Sequence, residues 1–149
     1  MKSYLIIIAD TGVLKAYYIR EKSLVHRGKA DLIKRIVYTE AHRRLGEQFT
    51  DTKGKFRGSG DARSPRHASG EPHNLEGELK ERSFRALAHD IEGIIMHTPA
   101  DEYYLALPKP IFKAVTSEIG KNIRAKIKKE IAEDLTKDTV KDIRERFAI

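Results

Sequence analysis

The sequence contains no cysteine. That absence excludes disulfides, thiolate metal sites, cysteine nucleophiles and thiol redox switching together, and it fits a reducing compartment. Long apolar runs are missing as well. Leu5-Ile6-Ile7-Ile8-Ala9 falls short of the roughly 7–15 residues of a signal-peptide core and has no small-residue cleavage site behind it. Nothing approaches the ~20 residues of a membrane helix, so a cytoplasmic location without membrane insertion is expected. The nucleophile-elbow pattern, the Walker loop, G-x-G-x-x-G and H-E-x-x-H are all absent, which leaves esterase, nucleotide-triphosphatase, dinucleotide and zinc-protease readings unsupported. No internal repeat occurs. What the chain does have is charge: 29 Lys+Arg against 22 Asp+Glu in 149 residues, a formal net charge of +7. The length suits one domain, within the usual ~100–200 residues. The charge bears on partners rather than on fold, and it permits nucleic acid, an acidic protein or an anionic membrane surface.

The chain opens as strands. Tyr4 to Ala9, with three consecutive Ile, reads as a strand buried on both faces. Asp10-Thr11-Gly12 is a turn signal, since Asp favours local hydrogen bonds and Gly accepts positive φ. Val13 to Ile19 is rich in β-branched and aromatic residues, so a hairpin over 4–19 is expected. Glu21 to Lys29 reads as a connection, and Asp31 to Thr39 as a third strand with a break in its alternation. Residues 41–74 differ in kind. Ala41 to Gln48 fits a short helix. Thr50 to Asn74 holds Gly54, Gly58, Ser59, Gly60, Ser64, Pro65, Ser69 and Gly70 and fits a loop of about 25 residues, a length that points to function or disorder.

The second half alternates helix and strand. Asn74 caps a long amphipathic helix over 75–97, ended before Pro99. Tyr103 to Leu107 reads as a short buried strand. Pro108 and Pro110 open a helix that runs through Ile119 and is closed by Gly120. The even spacing of Ile123, Ala125, Ile127 and Ile131 predicts a strand over Ile123–Ile131 with a charged outer face, and Thr136 to Phe147 is the last helix. The fold class is therefore α/β: a single domain over 1–149, with a mixed sheet of about five strands that begins as a three-strand antiparallel unit and continues α-β-α-β-α.

Several strings together resemble a known family. Ala62-Arg63-Ser64-Pro65-Arg66-His67-Ala68 followed by Pro72-His73 and a long helix is similar to the loop of the bacterial host attachment family, whose members are described as proteins required for attachment to host cells. The matching pieces continue with Ala9-Asp10 and Gly12, with Tyr104-Leu105-Ala106-Leu107-Pro108, and with Glu130-Ile131-Ala132-Glu133-Asp134-Leu135-Thr136-Lys137. The resemblance implies a fold like the middle domain of archaeal and eukaryotic peptide-chain release factors, ribonuclease-H-like in outline. In those factors the loop before the long helix carries Gly-Gly-Gln into the ribosome. Here the corresponding loop, Arg57 to Asn74, holds Ser69-Gly70-Glu71 and no Gly-Gly-Gln.

Two segments carry most of the candidate chemistry. Lys109 to Lys129 contains seven Lys/Arg and one acid, Glu118, a balance of +6 out of the total +7. On a strand, Arg124, Lys126 and Lys128 project to one face, and with Lys121 and Lys129 they could neutralise phosphates. The same residues also suit an edge strand guarded by lysine against edge-to-edge pairing. The loop residues Arg57, Arg63, Arg66, His67 and His73 lie among small residues; Arg presents a planar fork suited to phosphate, while the composition equally fits a solvated loop. His67 and His73 lack a third ligand at a metal-site spacing, and His89 and His97 sit eight residues apart on one helix flank, so neither a metal nor a cofactor is expected. Asp10 ends the first strand, where a two-metal nuclease would need a carboxylate, with Glu78 and Asp134 as further acids to gather; Asp is also a common turn residue. Three readings follow. The first is a non-enzymatic module associated with the ribosome, rRNA or tRNA. The second is an adaptor in attachment to host cells that acts through a protein partner, and the third is a metal-dependent nuclease.

Overall fold

The computed structural model describes residues 1–21, 28–38 and 71–149. The connection around 22–27, the expected short helix over 41–48 and the loop as far as Gly70 lie outside the described residues. Contacts group Met1–Val37 with Phe84–Ile149 as one compact unit and Tyr38–Ser83 as another. The described elements are β1 (Lys2–Ala9), β2 (Val13–Glu21), β3 (Ala30–Val37), α1 (Glu71–His97), β4 (Glu102–Ala106), α2 (Lys109–Glu118), α3 (Lys121–Arg124), β5 (Ile127–Ile131) and α4 (Val140–Phe147). They build one five-stranded mixed sheet of order β3-β2-β1-β4-β5. β1, β2 and β3 pair antiparallel, as expected, while β4 runs parallel to both β1 and β5.

β1 is the central strand, and Leu5 to Ala9 are at most 2% exposed. A strand paired on both edges and covered on both faces needs apolar side chains at successive positions, which is what the Ile run supplies. On one face Tyr4, Ile6 and Ile8 join Ile19, Tyr104 and Ala106 in a core closed by Leu135 and by Ile143 and Phe147 of α4. The Tyr104 ring lies 5.2 Å from that of Phe147 and 6.1 Å from that of Tyr4. By the pleat, Leu5, Ile7 and Ala9 face the other way. The buried residues Leu87, Ala88, Ile91 and Ile95 of α1, with Ile111 and Val115 of α2, supply the second apolar layer.

Several boundaries differ from the sequence-based expectation. α1 begins at Glu71 rather than after Asn74, because Pro72 falls in the first turn, where its missing N–H costs no hydrogen bond; His73 is thus helical, not a loop residue. The expected strand over 123–131 is a helical turn followed by a strand: the Gly120 carbonyl accepts from Ile123 N at 3.0 Å and Arg124 N at 2.9 Å, and β5 starts only at Ile127. Even spacing of Ile123, Ala125 and Ile127 matches both arrangements, and the local turn wins. Gly120 does not close α2 in a left-handed conformation; it has φ −57 and opens α3, while Ile119 is extended. The last helix starts at Val140 because Thr139 caps it, its hydroxyl oxygen accepting from Asp142 N at 3.2 Å. The expected break in the third strand is a bulge: Ala16 pairs with Lys34 and Tyr17 with Leu32, leaving Ile33 unmatched.

The glycine at 28 is required by close approach, since a Cβ there would lie 1.6 Å from the Arg20 carbonyl oxygen. Its own carbonyl accepts from Arg144 Nη1 at 2.7 Å, tying α4 to the start of β3. No helix among the described residues is long and apolar enough to cross a membrane. α4 ends on Ala148 at φ 58, the left-handed region that costs an L-residue with a Cβ about 1 kcal/mol or more. Ala148→Gly is therefore expected to stabilise the fold by about 0.5–1 kcal/mol, read as a rise of roughly 2–3 °C in thermal midpoint; an unchanged or lower midpoint would show that the turn carries no strain.

Candidate functional site

The carboxyl ends of the parallel strands are where an open α/β sheet builds sites, next to the strand at which the connections diverge. In this sheet that strand is β1, since the chain leaves it towards β2 on one side and returns as β4 on the other. Asp10 follows β1 directly. Its Oδ1 accepts from Gly12 N and Val13 N, both at 2.7 Å, and its own N–H donates to the Val13 carbonyl at 2.9 Å. One carboxylate oxygen is thus committed to the hairpin turn.

The other oxygen faces the segment that follows β5. Thr136 Oγ1 lies 3.1 Å from Asp10 Oδ2 and 2.6 Å from Asp134 Oδ1, and Asp134 Oδ1 also accepts from Thr136 N at 3.0 Å. Lys15 Nζ donates to the Thr136 carbonyl at 2.7 Å. The structure therefore brings Asp134 to Asp10, through a buried threonine. The hydroxyl carries a single hydrogen, so two carboxylates compete for one donor, and Lys15 supplies positive charge beside them. Among the described residues no group of three His, Cys, Asp or Glu could hold a metal ion. What this arrangement does chemically is clamp the post-β5 segment onto the β1–β2 turn.

The basic segment divides into used and unused cations. Lys128 Nζ donates to Glu102 Oε1 at 2.6 Å, and Lys2 Nζ reaches the same oxygen at 2.6 Å. Glu102 Oε2 accepts from the Tyr104 hydroxyl. The Lys128 contact, then those of Lys2 and Tyr104, pull the Glu102 carboxyl down to about 2. Burial, reinforced by the Glu102 hydrogen bond, pushes the Tyr104 phenol well above its ordinary range. Arg124 forks onto Glu130, with Nε to Oε1 at 2.9 Å and Nη2 to Oε2 at 3.1 Å, the bidentate geometry for which guanidinium is suited. Lys129 Nζ donates to the Arg146 carbonyl at 3.2 Å.

The expected period-two stripe is thus corrected. Arg124 belongs to α3, Lys126 to the turn after it, and only Lys128 of the three stands on the strand. Among the described residues β5 is the last strand of the sheet, and Lys128 and Lys129 stand on it. Of the seven cations in 109–129, Lys109 and Lys113 of α2, Lys121 of α3, Lys126 and Lys129 have no carboxylate within 4 Å among the described residues, and Lys129 is held by the Arg146 carbonyl. Lys109 and Lys113 stand one turn apart on the exposed side of their helix. α2 has no acid in its first turn and Pro108 offers no side-chain cap, so the helix dipole adds to the lysine potential there. Arg57, Arg63, Arg66 and His67 lie outside the described residues, and His73 sits in the first turn of α1. His89 and His97 line one flank of α1, as their spacing implies.

Sequence reasoning missed Glu102 as a hub and Thr136 as a bridge, because both depend on which strand ends become neighbours. Thr136→Val keeps the shape but leaves two carboxylates facing an apolar methyl, and a loss of about 1–3 kcal/mol is expected in urea denaturation, with Thr136→Ser close to wild type; equal stability of the two variants would contradict the bridge. Because the Glu102 carboxyl is lowered in the folded chain, its contribution is fully present above the ordinary value of 4.5 and lost as pH falls towards about 2. Glu102→Gln should therefore lower stability at neutral pH and converge on wild type near that lower limit; a pH-independent difference would contradict it.

A search of curated proteins gives no match for this sequence. The family comparison matches residues 5–147, nearly the whole chain and every element of the sheet, to the family described as "Protein required for attachment to host cells". The chain belongs to that host attachment family.

Proposed function

We propose that this protein is a non-enzymatic module that associates with RNA or the ribosome, with a fold of the release-factor middle-domain kind, ribonuclease-H-like in outline, and without Gly-Gly-Gln. The observation that carries the reading is the set Lys109, Lys113, Lys121 and Lys126, which no carboxylate neutralises among the described residues and which lies along α2, α3 and the turn after α3. Cations already paired with carboxylates release few counterions on meeting phosphate, whereas unpaired lysines each contribute to a salt-dependent affinity. In this mechanism the lysines hold backbone phosphates, and the loop carrying Arg57, Arg63, Arg66 and His67 enters an RNA-rich site. The mixed sheet, antiparallel over its first three strands and parallel over its last three, is compatible with the fold that the resemblance implies.

A second reading, an adaptor in attachment that acts through a protein partner, is favoured by a different observation. Leu32, Ile33 and Val37 of the edge strand β3 are 43–51% exposed, which is unusual for a strand whose central neighbours are sealed. A metal-dependent nuclease built on Asp10 has Asp134 as its second carboxylate, and no third group joins them among the described residues.

Binding of labelled tRNA, followed against salt, tests the leading reading. Each lysine that contacts phosphate should contribute roughly 0.7–0.9 to the slope of log affinity against log salt. Lys113→Ala/Lys126→Ala is expected to flatten the slope by about 1.5, and Lys128→Ala to leave it nearly unchanged. No binding at ~0.15 M salt, or equal effects of the two variants, would remove the reading.

A further inference from the structure

The lysines of 109–126 stand on a surface that offers charge and almost nothing for a base to stack on. α2 spans about 15 Å along its axis, and Lys109 and Lys113 stand exposed on it one turn apart. Lys121 and Lys126, both exposed, continue the run through α3 and the turn after it. Glu118, the one acid among them, is engaged by Arg85 at 3.9 Å. Other exposed residues of the segment, such as Ser117, Asn122 and Ala125, are small or polar. Phe112 is the single aromatic residue over 109–126, and it is half-buried. No aromatic side chain anywhere among the described residues is exposed. The one planar cation exposed in the segment is Arg124, and Glu130 already holds its fork at 2.9 and 3.1 Å.

We infer that the RNA held by this segment is base-paired: a stem gripped through its phosphates and not read in sequence. The inference rests on the RNA-binding reading and names the class of RNA which that reading takes. Proteins that bind single strands combine a cationic groove with aromatic side chains on which successive bases stack. This segment supplies the cations without the stacking faces, so an unpaired base gains nothing by leaving its neighbours for the protein. A stem has its bases already stacked on one another and needs only its backbone to be held.

Charge density favours the same choice. A double helix carries about one charge per 1.7 Å of axis, twice the density of either strand alone. Its phosphates are also fixed before binding, whereas a flexible strand must be ordered as it binds. Four lysines that each meet a phosphate should give a slope of log affinity against log salt of about −3.6 on a duplex and about −2.8 on a single strand. Contacts to phosphate set position and carry no sequence information.

The test uses the full chain with an RNA duplex of about 16 base pairs, a second duplex of scrambled sequence, and an unpaired oligouridylate with the same number of nucleotides. At ~0.15 M salt the two duplexes should bind equally, and about fourfold or more tightly than the single strand, with the two slopes given above. Lys113→Ala/Lys126→Ala should weaken duplex binding by about tenfold or more and take about 1.8 off its slope. Arg124→Lys keeps the charge and removes the plane, and it should leave duplex binding unchanged. Single-strand binding as tight as duplex binding would overturn the inference and leave the RNA-binding reading standing. So would a preference of about tenfold for one duplex sequence, or a loss of about tenfold in Arg124→Lys, since either would show bases being read or stacked. Duplex binding untouched by Lys113→Ala/Lys126→Ala would place the stem elsewhere on the protein and overturn it also. No binding of any of the three RNAs would remove the RNA-binding reading and this inference together.

Discussion

The burial of β1 on both faces and both edges is the constraint on which the other features depend. Its Ile run can be satisfied only with β2 on one side, β4 on the other and a helical layer above and below. Once β1 is central, the hairpin to β2 and β3 must grow one way and the β4–β5 unit the other. Among the described residues the outer strands are then β3 and β5, four strand spacings apart, roughly 19 Å at about 4.8 Å each. Exposed Leu32, Ile33 and Val37 stand on β3 beside Lys34 and Arg35, and further lysines stand on β5 and along α2.

The net charge of +7 is not spread evenly along the chain. The segment 109–129 holds nearly all of the excess, yet the fold spends part of it internally. Lys128 and Lys2 converge on Glu102, and Arg124 forks onto Glu130. These contacts join β1, β4 and β5 at the amino end of the parallel ladder and lock the edge strand in register. Thr136, shared by Asp10 and Asp134, does the equivalent work at the carboxyl end. Both ends of the parallel ladder are therefore tied by polar groups, and of the lysines in 109–129 without a carboxylate Lys109, Lys113 and Lys121 stand on helices.

The sequence made the elements legible where periodicity had only one solution. The run Leu5–Ala9, the turn at Asp10-Thr11-Gly12 and the broken alternation around Ile33 all led to the observed strands, turn and bulge. Around 123–131 it had two solutions, because Ile123, Ala125 and Ile127 satisfy a strand's spacing while Gly120 closes a helical turn; the cost was a stripe of cations that does not exist. Thr50–Asn74 was readable in composition but not in extent, since Pro72 stops a helix in its interior and is welcome in a first turn. The site residues were legible in type and not in company. That Lys128 meets Glu102, or Asp134 meets Asp10, depends on the order of strands, which no local pattern contains.

We propose that RNA contacts the Lys109–Lys126 segment through lysines that no carboxylate neutralises among the described residues. Amide hydrogen exchange of the full chain with and without tRNA tests it most directly. Slowed exchange is expected over α2, α3 and the turn at Ala125–Lys126, with Ala30–Val37 unchanged. Slowing confined to β3, or no change anywhere in Lys109–Lys126 while tRNA is bound, would contradict it.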